Sequence, residues 1–237
     1  MSADSIAQNL SAVEDRIAQA CSAAGRDVSS VRLLPVSKTH PIGLIRQVAT
    51  RGYPLFGENK VQELVAKSAE LRPDDDFGFS VIGHLQTNKA RPVAELADEF
   101  QALDSVKLAR ELDKRLAAVN RRLPVLLQVN SSREPQKSGI LPEDLLDVAK
   151  ALEPFDRLDV RGLMTVAVNG APDEVSACFE EMLRLQESLR RDEVLGADWN
   201  ELSMGMSGDL ELAIRHGSTC VRVGTAIFGA RSYPTAA

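Results

Sequence analysis

Short apolar runs alternate along this chain with longer stretches in which apolar residues recur every three or four positions. The first long stretch carries Ile6, Leu10, Val13 and Ile17 at helical spacing, and Gly25 follows as a stop. It predicts an N-terminal helix over 1–25. Beyond it, apolar runs predict strands over 31–37, 53–57, 79–83, 100–104, 125–130, 160–165, 199–203 and 220–224. Between them, 41–51, 60–71, 88–97, 106–120, 142–152, 172–195 and 209–216 read as helices. Pro41, Pro142 and Pro172 fit first-turn positions, and Ser105 fits an N-cap. The stripe Val175, Phe179, Met182, Leu185 and Leu189 is the core-facing side of the 172–195 helix.

Strands joined by helical crossovers imply a parallel sheet, and eight of them suit closure into a (β/α)8 TIM barrel. An open doubly wound sheet is the structural alternative. Against it, no G-x-G-x-x-G follows the first strand. No internal repeat, low-complexity tract or linker divides the chain, and Pro73-Asp74-Asp75-Asp76 reads as a solvated loop. The expectation is one α/β domain over 1–237: the helix over 1–25, the barrel over 31–229 and a tail over 230–237.

Composition narrows the function classes. A net charge of -6 argues against a nucleic-acid binder, which needs a basic face. No apolar run is long enough to span a bilayer, so no membrane partner is expected. The start, Met1-Ser2-Ala3-Asp4, lacks the basic and apolar regions of a signal peptide. Cys21, Cys178 and Cys220 form neither a C-x-x-C pattern nor an even-numbered framework. The cytoplasm is the expected location. His40, His84 and His216 are the only histidines, and no pair has metal-ligand spacing, so no metal is expected.

In a barrel of this kind the site lies at the C-terminal ends of the strands. Those ends carry Lys38, Glu58-Asn59, His84, Ser105, Asn130, Thr165, Ser203 and Gly224-Thr225. Some polar enrichment is ordinary there, because strands end in turns and caps. Lys38 is the most informative of them. Taken alone it reads as a solvated surface lysine. At the end of a buried strand, however, its amine is desolvated, loses its proton more easily and becomes a nucleophile for aldehydes. The last two loops add an anion site: Ser203-Met204-Gly205-Met206-Ser207-Gly208-Asp209 precedes one helix, and Gly224-Thr225 follows the eighth strand. Glycines admit backbone N–H groups, hydroxyls add donors, and helix N-termini favour negative charge. Ser207 and Thr225 could instead be ordinary N-caps. A phosphate site opposite a strand-end lysine suits pyridoxal 5′-phosphate (PLP), or a Schiff-base aldolase acting on a sugar phosphate. Arg222, two residues before Gly224, favours PLP. From the lumen its guanidinium would keep a pyridine nitrogen unprotonated and weaken the ring as an electron sink. Its alternative is an ion pair with a strand-end carboxylate such as Glu58.

These residues resemble the YggS/PROSC family of PLP-binding, or PLP homeostasis, proteins. The matching segments are Val36-Ser37-Lys38-Thr39, Phe56-Gly57-Glu58-Asn59, Ile82-Gly83-His84-Leu85-Gln86-Thr87-Asn88-Lys89, Lys137-Ser138-Gly139 and Gly162-Leu163-Met164-Thr165. The longest closes the chain, from Leu202-Ser203-Met204-Gly205-Met206-Ser207 to Val221-Arg222-Val223-Gly224-Thr225 and on to Gly229. The chain departs from the family at Phe79-Ser80, Lys60 and Leu210, which concern the pocket rim. The resemblance implies a barrel like the N-terminal domain of alanine racemase, with PLP held as an aldimine on Lys38. It implies phosphate against the 203–207 loop, including Ser203, Met206 and Ser207, and against Gly224 and Thr225. Arg222 would face the pyridine nitrogen, and Asn59 would lie near the ring. Lys60 and Lys137 are candidates for a second, weaker contact. The implied role is to hold and deliver PLP without robust turnover. PLP-dependent apo-enzymes are possible recipients, amino acids exchange weakly at the aldimine, and no residue is assigned as catalytic. The competing function is a PLP-dependent amino-acid racemase. It would need a base on the face opposite Lys38, and the only tyrosines are Tyr53 and Tyr233.

Overall fold

The computed structural model describes residues 3–229; the 230–237 tail, with Tyr233, lies outside the described residues. The eight strands are β1 (Arg32–Pro35), β2 (Leu55–Glu58), β3 (Gly78–Val81), β4 (Glu99–Leu103), β5 (Leu123–Gln128), β6 (Leu158–Met164), β7 (Glu201–Ser203) and β8 (Cys220–Val223). They form one parallel sheet in the order β1-β8-β7-β6-β5-β4-β3-β2. A further parallel bridge between Val36 and Gly57 joins the two ends, so the sheet closes into a barrel. Closure depends on Gly57: a Cβ there would crowd the Val36 and Ile82 side chains at 3.2 Å.

The helices are α1 (Ala3–Ala23), α2 (Ile42–Ala49), α3 (Val61–Ser68), α4 (Ala90–Leu96), α5 (Val106–Ala118), α6 (Leu145–Lys150), α7 (Pro172–Arg191), α8 (Leu210–Arg215) and α9 (Thr225–Phe228). α2 to α8 fill the crossovers, as the periodicity predicts, whereas the four-residue α9 after β8 has too few residues to show a period. Ser105 caps α5 by accepting the Leu108 N–H. The 172–195 helix stops at Arg191, before a 3-10 turn over Val194–Gly196. Its stripe needs one correction. Leu185 sits at the edge of the buried face, and Gln186 is buried instead, donating to the Trp199 carbonyl at 2.5 Å.

The chain separates two cores. The helix layer is apolar, and Phe56, Phe79, Leu64, Leu112 and Phe179 are fully buried in it. TIM-barrel lumens are usually filled by bulky branched side chains. This lumen is instead largely polar. Ser203 on β7 reaches Gln101 on β4 at 2.6 Å, and Arg32 on β1 reaches both Glu99 on β4 and Glu201 on β7. Strands that far apart in the sheet meet only through the barrel interior. Among the described residues no helix is long and apolar enough to cross a membrane.

Candidate functional site

In β1 the side chains alternate. Arg32 and Val36 face the lumen or its mouth, and Ser37 faces outward, where its hydroxyl donates to Glu58 at 2.5 Å. Lys38 follows on the inward side, half-buried, and lines the cavity at the barrel mouth. The backbone on either side of it is held by a second, buried lysine and two carboxylates. Lys67 on α3 donates to the Ser37 carbonyl at 2.8 Å and to Glu58 Oε1 at 2.5 Å. Thr39 stands at φ +67°, a left-handed conformation that a β-branched residue rarely adopts, and its N–H donates to Glu63 Oε2 at 2.5 Å. Burial raises the Glu58 carboxyl above its ordinary range, against the pull of Lys67, and Glu58 Oε2 is buried with no partner. Burial also works to raise Glu63, but the Thr39 N–H and Lys67 outweigh it and hold the carboxyl low.

Seven of the eight predicted site residues meet on one cavity of about 390 Å³: Lys38, Asn59, Met206, Ser207, Arg222, Gly224 and Thr225. Ser203 does not reach it. Its hydroxyl is fully buried below, donating to Gln101 and accepting from Arg222 at 2.7 Å. Arg222 also donates to the Thr165 carbonyl at 2.6 Å. The alternative of an Arg222–Glu58 ion pair is therefore wrong. Glu58 shares the outward face of β2 with Phe56 and is taken by α3, whereas Arg222 points inward. Burial lowers the Arg222 pKa from its ordinary value.

The two glycine loops form the wall on the β7–β8 side of the cavity. Ser207 and Thr225 are not side-chain caps: Asp209 precedes α8, Gly224 precedes α9, and neither helix has a side-chain cap bond. The loops are tied together by α1, a connection without a sequence signature. Arg16 donates to Glu211 at 2.6 Å and to the Ser207 carbonyl at 3.0 Å, and Asn9 donates to the Ile227 carbonyl at 3.1 Å. Gly205 turns the first loop at φ +96°, and a Cβ there would stand 2.5 Å from the Ala213 Cβ. Gly205→Ala is expected to cost about 1–3 kcal/mol from backbone strain alone. It should also displace Met206 and Ser207, which line the cavity; thermal unfolding of the variant against the parent checks the loss of stability.

Other candidates lie at the rim. His84 Nδ1 meets Asp104 at 2.8 Å, with the imidazole half-exposed. Lys137 pairs with Glu134 and donates to the Ala167 carbonyl at 2.9 Å, and Lys60 is exposed in a neighbouring groove that also takes in Asn59. Tyr53 is given to Glu14 on α1 at 2.7 Å, on the far side of β2. Among the described residues no cluster of three or more His, Cys, Asp or Glu could hold a metal ion.

A family profile described as the alanine racemase N-terminal domain matches residues 8–232. The pyridoxal phosphate homeostasis protein of Pseudomonas aeruginosa is 45% identical over 228 residues, covering 96% of both chains. That of Escherichia coli K12 is 40% identical, covering 96% of this chain and 97% of its own. This chain belongs to the pyridoxal phosphate homeostasis protein family. PipY of Synechococcus elongatus PCC7942, solved with PLP bound, superposes with a TM-score of 0.80 at 37% identity, over 92% of this chain and all of that one (100%). The alanine racemase of Clostridium difficile shares the barrel alone, with a TM-score of 0.74 at 13% identity over 98% of this chain and 58% of its own.

The cavity suits that cofactor chemically. Its volume is in the range of small-molecule sites. It offers a primary amine, a buried guanidinium that only donates, and two hydroxyls beside glycines. At Gly224 a Cβ would come within 3.0 Å of the Val36 carbonyl, so the wall beside the strand that carries Lys38 has no room for a larger side chain.

Proposed function

We propose that this chain binds PLP in its barrel mouth, linked covalently through Lys38, and serves cytoplasmic PLP homeostasis as a carrier without robust turnover. The observation that carries this reading is the convergence of Lys38, Arg222, Ser207 and Thr225 on one cavity. PLP supplies an aldehyde for reversible condensation with a primary amine, and a phosphate dianion that wants donors. Lys38 supplies the amine on a backbone fixed by Glu58, Glu63 and Lys67. Ser207, Thr225 and Gly224 supply the phosphate wall. Arg222, with N–H groups to donate and no lone pair to accept with, keeps a facing ring nitrogen unprotonated and so discourages carbanion chemistry. Asn59 and Met206 complete the walls beside the ring. PLP-dependent apo-enzymes are the proposed recipients, and amino acids exchange weakly with the Lys38 amine.

The test is borohydride reduction of protein loaded with PLP, followed by peptide mass spectrometry. A single pyridoxyl adduct on the peptide containing Lys38 is expected; an adduct confined to Lys60, Lys67 or Lys137 would falsify the assignment. The racemase alternative has less support. A racemase needs a base on the face opposite Lys38, and Tyr53 is committed to Glu14, with burial raising its pKa. Incubation with L-alanine and PLP is expected to yield no sustained D-alanine by chiral chromatography.

A further inference from the structure

Arg222 is buried, yet among the described residues no carboxylate stands at ion-pair distance from it. A buried charge without a counter-ion is costly. The carboxylate whose charge acts on it is Asp209, beyond ion-pair distance, and its direct hydrogen-bond support comes from the lumen. At the barrel floor Glu99 accepts from Arg32 at 2.6 Å on Oε2 and from Ser80 at 2.7 Å on Oε1. A carboxylate repels an amide oxygen, so the neighbouring Gln101 must present its Nε2, 2.5 Å from Glu99 Oε1. The Gln101 Oε1 is thereby turned to Ser203. The single Ser203 proton goes to it at 2.6 Å, and Ser203 is left with only lone pairs toward Arg222. Every donor in the series Arg222, Ser203, Gln101 points the same way, ending on the Glu99 charge. Each member lies on a lumen-facing position of a different strand or two residues from its neighbour on β4, so none can turn away without leaving a buried group unpaired.

We propose that Gln101 and Glu99 are positioning residues for the cofactor. Through Ser203 they hold the Arg222 guanidinium in one orientation, with its remaining N–H groups toward the cavity that it lines. This rests on the reading that the cavity binds PLP, although the arrangement itself is a property of the unloaded chain. It also explains why a TIM-type lumen here is filled with Arg, Glu, Gln and Ser in place of branched aliphatics.

The test replaces Gln101 by methionine, which keeps the volume and removes both hydrogen bonds. Two readouts are used. The first is the ¹⁵N resonance of the Arg222 guanidinium in unloaded protein. The second is PLP affinity, together with the ¹⁵N shift of the ring nitrogen in labelled PLP. Q101M is expected to shift the Arg222 resonance and weaken PLP binding about ten-fold, near the value of one hydrogen bond to a charged group. If Q101M does not fold, Ser203→Ala cuts the same series one link higher and should give the same pair of shifts. An unchanged Arg222 resonance and ring-nitrogen shift in Q101M or Ser203→Ala overturns the inference. Failure of the parent protein to bind PLP would overturn the proposed function alone, because the Arg222 readout in unloaded protein still stands.

Discussion

Lys38→Ala is expected to abolish the borohydride-stable pyridoxyl adduct and the visible absorption of the loaded protein, leaving only weak binding through the phosphate wall. The variant keeps Ser207, Gly224, Thr225 and Arg222 on the cavity and loses the one amine that the barrel aims into it. Losing a covalent link while keeping the anion contacts should lower apparent affinity by roughly two orders of magnitude, about 2.8 kcal/mol. The fold should be unaffected, because Lys38 is only half-buried. Lys60→Ala and Lys137→Ala serve as controls and should retain the chromophore, since Lys60 is exposed and Lys137 is engaged by Glu134 and the Ala167 carbonyl. Spectrophotometric titration with PLP decides the matter; a persistent band in Lys38→Ala would sink the covalent assignment.

The second large effect concerns the other buried lysine. Lys67→Met removes the cation that meets Glu58 at 2.5 Å, where Lys67 and Glu58 are 6% and 0% exposed. An uncompensated buried carboxylate typically costs about 3–5 kcal/mol. For a chain of this size that lowers Tm by roughly 10 °C, at about 2–4 °C per kcal/mol. Replacing both partners, as Glu58→Gln with Lys67→Met, should recover most of the loss, because the desolvation of two charges disappears with them. The loss in Lys67→Met should also depend on pH in a defined direction. The folded-state pKa of Glu58 already lies above its ordinary 4.5, through burial, and rises further once the lysine is gone. A carboxyl raised on folding holds its proton better when folded, so the deficit is small below about pH 4.5 and grows as pH rises through the folded-state value. Denaturant melts of the single and double variants across pH 4–8 measure this. A double variant no more stable than Lys67→Met would show that the pair is not what holds the segment around Lys38.

Much of the site was legible because barrels put their chemistry where strands end. Lys38, Asn59, Arg222, Gly224 and Thr225 could be placed by counting strands, and Ser207 by the glycine-rich loop that precedes α8. What escaped notice follows from how side chains are shared between elements. Lys67 lies on an amphipathic helix beside Glu63, where a charged residue reads as solvated; only the docking of α3 on β2 turns it inward. Arg16 and Asn9 lie on α1, and nothing in their spacing says that they hold loops about two hundred residues away. The lumen did leave a signal. Glu99 and Gln101, Glu201 and Ser203, and Arg32 alone on β1 are polar residues at period two within short strands. Strands read as uniformly buried hide that alternation, because each run is only three to five residues long.

By itself the sequence determined a succession of strands and helices whose number and order admit one closed parallel barrel. It also determined the identity of the amine, guanidinium and hydroxyls available at one end. Local periodicity and turn chemistry suffice for that, since each acts within a few residues. Only the tertiary structure decided that Ser203 serves Arg222 beneath the cavity, that Glu58 answers to Lys67 on the outer face, and that Gln101 links Ser203 to Glu99 across the barrel. Ser203 and Gln101 lie 102 residues apart in the chain, whereas Glu58 and Lys67 are nine apart and meet through the docking of α3 on β2. Barrel closure brings Ser203 within 3 Å of Gln101, and desolvation in the lumen then makes that hydrogen bond obligatory.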